Sequence, residues 1–152
     1  MDERILFRIS QFRKAQLLLS MKSSFNFISC LLHQDLPEQN LLESLGIHFL
    51  MDGTLREVMG LLSQSQLYIG HDTGTKHIAA ALNVPTITLF GPENPLEWHP
   101  YDQKRHPFFF QSELKCRGSW CPLKICTEHH HQCMSLISVE SVSNKAKELL
   151  TS

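Results

Sequence analysis

No apolar run in this sequence of 152 residues approaches the roughly 18 that a membrane-spanning helix requires, and the opening Met1-Asp2-Glu3-Arg4 lacks the apolar centre of a signal peptide. The chain therefore reads as cytoplasmic. An excess of one charge is missing as well: 14 basic residues oppose 15 acidic ones, for a formal charge of -1, and no basic run is long enough to track a phosphate backbone. Nucleic acid is not an expected partner. The 5 cysteines are an odd number, and all but Cys30 crowd between Cys116 and Cys133, which is not the layout of a secreted disulfide framework. No internal repeat is found. No Gly-x-Gly-x-x-Gly turn follows the first expected strand, where the sequence reads His33-Gln34-Asp35-Leu36-Pro37, so a dinucleotide-binding oxidoreductase has little support.

What remains is ordinary globular material, 42% hydrophobic and 19% charged, enough for one packed domain over residues 1–152. Apolar residues Ile5, Ile9, Phe12 and Leu19 recur at helical spacing, so residues 2–24 read as an amphipathic helix and linker. An α/β core is expected over 25–92. Phe25 to Leu32 is a short buried strand, and Pro37 opens a helix through Leu45 that Gly46 ends. Ile47 to Leu50 is the second strand. Thr54 can cap a helix from Leu55 to about Gln64, with Leu55, Val58, Met59 and Leu62 on one face. Leu67 to Gly70, a helix from Thr75 to Leu82, and Val84 to Phe90, rich in β-branched residues, complete a βαβαβαβ alternation. Strands spaced by such helices imply a Rossmann-like, mainly parallel sheet covered on both faces, with its ligand site beyond the carboxyl ends of the strands. After Gly91-Pro92 the pattern stops. Residues 93–134 read as a Pro-, His- and Cys-rich loop region and 135–152 as a closing helix over Val139 to Leu150.

The segment Tyr68-Ile69-Gly70-His71-Asp72-Thr73-Gly74-Thr75-Lys76-His77 carries the chemistry. A strand ends, a polar turn with glycine follows, and a helix begins at once. Such a junction turns the backbone N–H groups of Thr73, Gly74 and Thr75 outward at a helix N-terminus, where the partial positive charge favours phosphate. The plainer alternative is that Asp72 or Thr73 merely caps the helix.

A longer ordered set resembles glycosyltransferase family 9, the ADP-heptose:lipopolysaccharide heptosyltransferases. It comprises Asp72-Thr73-Gly74, His77, a small-residue helix, Val84-Pro85-Thr86, Leu89-Phe90-Gly91-Pro92, Pro95 and a Trp98 to Pro100 segment. The resemblance runs over roughly residues 25–145, including Leu55 to Tyr68 and the Cys116 to Val142 tail. It implies the C-terminal half of a GT-B fold, which holds the nucleotide sugar, while an N-terminal half holds the acceptor. By that resemblance Asp72 meets sugar hydroxyls, Thr73 and Gly74 the diphosphate, and His77 the phosphate or its surroundings. Glu38 corresponds to a carboxylate on the adenosine ribose and Gly53 to backbone beside adenine. The donor would be ADP-heptose or a related nucleotide sugar, with no cofactor, and the acceptor the lipopolysaccharide core, engaged by a domain absent from these residues. The complete enzyme would associate peripherally with the membrane.

The resemblance also marks what is missing. The family's donor domain begins with a further strand and a lysine-bearing loop for the diphosphate, and its general base belongs to the acceptor half. No catalytic residue is therefore expected here.

Cys116, Cys121, Cys126 and Cys133, with His129, His130 and His131, offer soft ligands, but the cysteine spacing is not that of a common zinc ribbon. No metal site is expected, and Trp98 and Trp120 read as packing groups. Two other functions stand beside the transferase half: a binding fragment without turnover, and a metal-stabilised interaction domain built on the tail.

Overall fold

The computed structural model describes residues 27–31, 47–51, 53–118 and 132–151. The expected helices over 2–20 and 37–45 lie outside the described residues. In chain order the elements are β1 (Phe27–Leu31), β2 (Ile47–Met51), α1 (Leu55–Ser63), β3 (Tyr68–His71), α2 (Gly74–Ala81), β4 (Thr86–Leu89), α3 (Pro95–Trp98), β5 (Phe108–Phe109), a 3₁₀ turn (Lys115–Gly118), α4 (Gln132–Ser135) and α5 (Val139–Thr151). All strand pairing is parallel. β1 pairs with β2, Phe27 opposite Ile47, while β3, β4 and β5 form a separate three-stranded sheet in that order.

β4, Thr86-Ile87-Thr88-Leu89, is buried along its whole length. A central parallel strand lies under helices on both faces, so it tolerates no solvent-facing position. Its alternation sorts the two layers. Ile87 and Leu89 point into an apolar cluster with Met134, Ile137, Val142 and Ala146, which places α4 and α5 on one face. On the other face Leu62, Ala79 and Val84 pack with Val58, Tyr68, Ile78 and Leu82, so α1 and α2 cover it. Each fully buried aliphatic side chain contributes about 1.5–3 kcal/mol.

The helices begin and end where local chemistry dictates. Thr54 closes a capping box: its hydroxyl accepts from the Glu57 N–H at 3.3 Å, and a Glu57 carboxylate oxygen accepts from the Thr54 N–H at 2.7 Å. The Thr54 hydroxyl, which also donates to that carboxylate oxygen at 2.7 Å, and then the Thr54 N–H hold the Glu57 carboxyl below the usual carboxylate range. The Ser138 hydroxyl accepts from the Ser141 N–H at the start of α5. α2 ends in a Schellman motif, in which the N–H of Asn83 donates to Ala80 and that of Val84 to Ala79, while Asn83 takes φ 60°.

Two expectations need correcting. Leu55 and Met59 do not share the inner face of α1 with Val58 and Leu62 but are 61% and 41% exposed, because the helix buries a narrower stripe than its apolar content suggests. The alternation also does not stop at Pro92. Phe108–Phe109 adds a third parallel strand, the carbonyls of Phe109, Arg105 and Pro107 accepting from the N–H groups of Phe90, Thr86 and Thr88. Two residues are too few to show a period.

The left-handed residue at Asn83 provides a test. Asn83→Gly should hold or raise the thermal midpoint, whereas Asn83→Val should cost about 1–2 kcal/mol, since a β-branched side chain resists positive φ. Equal midpoints for the two variants would show that the turn does not depend on this conformation.

Candidate functional site

The turn between β3 and α2 lies at the carboxyl end of the sheet, where a parallel α/β architecture leaves its ligand crevice. Asp72 follows the last residue of β3, and Thr73, the N-cap of α2, is extended at φ -144° and ψ 169°. Its side chain makes no capping bond to the helix. Instead the Thr73 hydroxyl pairs with the Thr75 hydroxyl at 2.8 Å, and Thr75 in turn with the Tyr68 phenol at 2.8 Å. The simple capping role is therefore not the one adopted. Among the described residues nothing accepts from the N–H groups of Gly74 and Thr75, so these donors open outward. The helix start is also open at the side-chain position of Gly74, where an added Cβ would meet nothing within 4 Å. Gly70 is the opposite case: a Cβ there would stand 2.2 Å from the Tyr68 hydroxyl, so the glycine lets that ring fold back along its own strand to reach Thr75.

Lys76, four residues beyond Asp72, is fully buried. Its Nζ donates to Asp72 Oδ1 at 2.5 Å and to the Trp98 carbonyl at 2.7 Å, and lies 5.0 Å from the centre of the Phe90 ring. The second oxygen of Asp72 has no hydrogen-bond partner among the described residues, and the side chain is 13% exposed. His77 sits one residue on, with Nδ1 2.6 Å from the Tyr101 hydroxyl. Burial, and then the neighbouring Lys76, push its imidazole below the ordinary value, against the opposing pull of Asp72. Above the ordinary imidazole value His77 is an uncharged ring, and its Nε2 has no hydrogen-bond partner among the described residues.

Behind His77 stands a wall of rings. His99, Tyr101, Phe90 and Phe108 meet edge to face with centroids 5.1–5.8 Å apart. His99 is buried and its Nε2 donates to the His106 carbonyl at 2.6 Å, while His106 Nδ1 pairs with the Thr86 hydroxyl at 3.1 Å. Burial is the leading cause that depresses both imidazoles, and it raises the phenol of Tyr101.

Of the residues expected to bind donor, Asp72, Thr73, Gly74 and His77 are brought together by this one turn. Gly53 is half-buried in the link between β2 and α1, with no hydrogen bond to the turn. Glu38 lies outside the described residues. Lys76, Tyr101 and the Tyr68 hydroxyl went unread in the sequence, although the spacing of Asp72 and Lys76, four apart across a helix start, is the signal of an ion pair. Trp98 is half exposed rather than packed away, and it is the carbonyl, not the indole, that ties it to Lys76. Among the described residues no group of three His, Cys, Asp or Glu side chains could hold a metal. Cys121, Cys126 and His129 to His131 fall outside them, while Cys133 packs on the apolar core. A cleft of about 360 Å³, lined by Ser63, Gln66, Asn83, Pro85 and Arg105, opens at the amino ends of the strands, away from the turn.

Comparison with known proteins agrees with this arrangement. The family model of glycosyltransferase family 9 (heptosyltransferase) matches residues 40–126, more than half of the chain, and the chain belongs to that family. Lipooligosaccharide heptosyltransferase 2 of Campylobacter jejuni is 29% identical over 119 residues, covering 78% of this chain and 35% of that protein. Lipopolysaccharide heptosyltransferase 1 of Pseudomonas aeruginosa is 51% identical over 67 residues, 44% of this chain and 18% of the relative. The chain thus spans about a third or less of the length of these relatives. In three dimensions, the crystal structure of a family 9 glycosyl transferase from Veillonella parvula superposes with a TM-score of 0.56 at 17% identity, over 93% of this chain and 52% of that one, which fixes the fold as half of a GT-B architecture. No helix among the described residues is long and apolar enough to cross a membrane.

The depressed histidines set a pH dependence. Above the ordinary imidazole value of about 6.5 His77, His99 and His106 are neutral both folded and unfolded, so they impose no penalty. Below it the unfolded chain takes up protons that the folded one resists, and stability falls until the lowered folded values are reached. The thermal midpoint should be flat above about pH 7 and decline toward about pH 5.5, with the decline reduced in His106→Asn. A midpoint indifferent to pH across that window would contradict the burial of these rings.

Proposed function

We propose that this chain is the donor-binding half of a heptosyltransferase that takes heptose from ADP-heptose for transfer to the lipopolysaccharide core. One observation carries the reading. The N-terminus of α2 is left without a side-chain cap, its Gly74 and Thr75 N–H groups have no acceptor among the described residues, a Cβ on Gly74 would meet nothing, and Asp72 and His77 lie on either side in sequence. Aligned backbone donors and the helix dipole suit a diphosphate. They also suit the charge that builds on the leaving phosphate as the bond from the sugar to oxygen breaks. The open oxygen of Asp72 suits a sugar hydroxyl, which needs an acceptor. The names of the relatives, heptosyltransferases acting on lipopolysaccharide or lipooligosaccharide, support the sugar and the acceptor class. Such a reaction uses a nucleotide sugar and belongs in the cytoplasm.

Titration calorimetry with ADP tests the binding site. Gly74→Ala should leave the thermal midpoint unchanged or slightly raised, since the added methyl meets nothing, yet weaken ADP by about tenfold as it intrudes on the anion. Failure of the folded wild-type chain to bind millimolar ADP would remove the donor-site reading.

Transfer itself needs the acceptor hydroxyl to be aligned and deprotonated. Among the described residues of the site the open oxygen of Asp72 is assigned to the donor sugar and His77 to the surroundings of the phosphate, so this reading leaves neither to serve as base for an acceptor. Misalignment of two substrates forfeits roughly 7–11 kcal/mol, and absence of a base a further factor of about 10² to 10⁴. The 152-residue chain alone should therefore show no heptose transfer in a radiolabel assay, and activity should appear when an acceptor domain is added in trans. Turnover by the chain alone would relocate the active site.

A further inference from the structure

The charge that the proposed chemistry leaves without a role is Lys76. It lies beside an expected anion site, yet it is fully buried and its ammonium has three hydrogens. One goes to Asp72 Oδ1 and one to the Trp98 carbonyl, and the remaining side of the ammonium faces the Phe90 ring. Nothing is left over to touch a ligand. We infer that Lys76 is a positioning residue for Asp72, and that the pair reads the glycosyl part of the bound nucleotide rather than its diphosphate.

The argument is one of geometry and charge. A carboxylate gripped at one oxygen by a buried ammonium has lost its rotational freedom, so its second oxygen offers a fixed acceptor. Asp72 immediately precedes Thr73, the N-cap of α2, whose first N–H groups have no acceptor among the described residues. An unpaired carboxylate there would repel a diphosphate, whereas a carboxylate neutralised from behind does not. Lys76 thereby lets an acceptor for a hydroxyl stand next to a binding site for an anion. The same ammonium, through the Trp98 carbonyl, ties α3 to the turn, so the sugar-reading oxygen is held relative to both segments. The inference rests on the donor-site reading and extends it from the nucleotide to its sugar.

The test is the ratio of ADP-heptose affinity to ADP affinity, whatever its starting value, in the wild-type chain, Lys76→Met, Asp72→Asn and the double variant. Calorimetry gives the ratio, and melting curves establish folding. Both single variants should lower the ratio by about tenfold, the worth of one charged hydrogen bond, and the double variant should lower it no further. Lys76→Met should also weaken ADP, because Asp72 is left uncompensated. The double variant, in which both charges are gone, should regain ADP affinity close to wild type. A structural role alone would not produce that pattern. Retention of the ratio in Lys76→Met while Asp72→Asn loses it would overturn the inference and leave the donor site standing, as would losses that add in the double variant. If Lys76→Met does not fold, Asp72→Asn and the double variant carry the test, and any further fall of the ratio between them counts against it. Binding of neither ligand by the wild-type chain would defeat the donor-site reading, and this inference with it.

Discussion

A primary ammonium with no access to water is the constraint around which the carboxyl end of this sheet is arranged. Removing such an ion from solvent costs several kcal/mol even after relaxation, and the cost is met only if every proton finds a partner. Lys76 draws those partners from three places: the residue that follows β3, the last residue of α3, and the ring that follows β4. None of the three segments can shift without leaving a charge unpaired. The turn after β3 is therefore held by this buried charge as well as by its own hydrogen bonds, in which the Thr73 carbonyl accepts from the Lys76 N–H and the Thr73 hydroxyl pairs with Thr75.

The two faces of β4 divide the labour. Ile87 and Leu89 supply the apolar face on which α4 and α5 rest, and that side is packed for stability. Thr86, Thr88 and then Phe90 look the other way, toward His106, His99 and the cation. Burial disfavours the charged form of both imidazoles, and the His106 carbonyl fixes the proton of His99 on Nε2. The turn that carries the site thus leans, through Lys76 and Phe90, on the end of a buried strand.

What the sequence made legible was what local periodicity and cap chemistry encode. Thr54 before Leu55, the β-branched run around Ile87 and the glycine turn before α2 each carry their signal within a few residues, and each element is found within two or three residues of its expected bounds. Asp72, Thr73, Gly74 and His77 belong together because one turn holds them. The rest depends on contacts that are distant in the chain. Lys76 looks like any helix lysine until Trp98, 22 residues on, supplies its carbonyl. Tyr101 gains its role from His77, 24 residues back. β5 has two residues and borrows its identity from the ladder offered by β4. Leu55 has the right spacing for burial on α1, but no layer covers it there.

The hydroxyls of Tyr68, Thr75 and Thr73 form a line whose heavy atoms are fixed while its protons are not, since either oxygen of each pair can be the donor. Each of the three can be turned end for end by rotating light O–H bonds alone. In one direction the Thr73 proton is left to the His71 carbonyl, 3.5 Å away, or to a guest, and in the other Thr73 keeps a lone pair free. Successive hydroxyls polarise one another, so a charge arriving at Thr73 is answered as far back as the phenol over Gly70. The edge of the crevice is in this sense reversible wiring: its shape is set in advance, and its polarity is chosen by the guest.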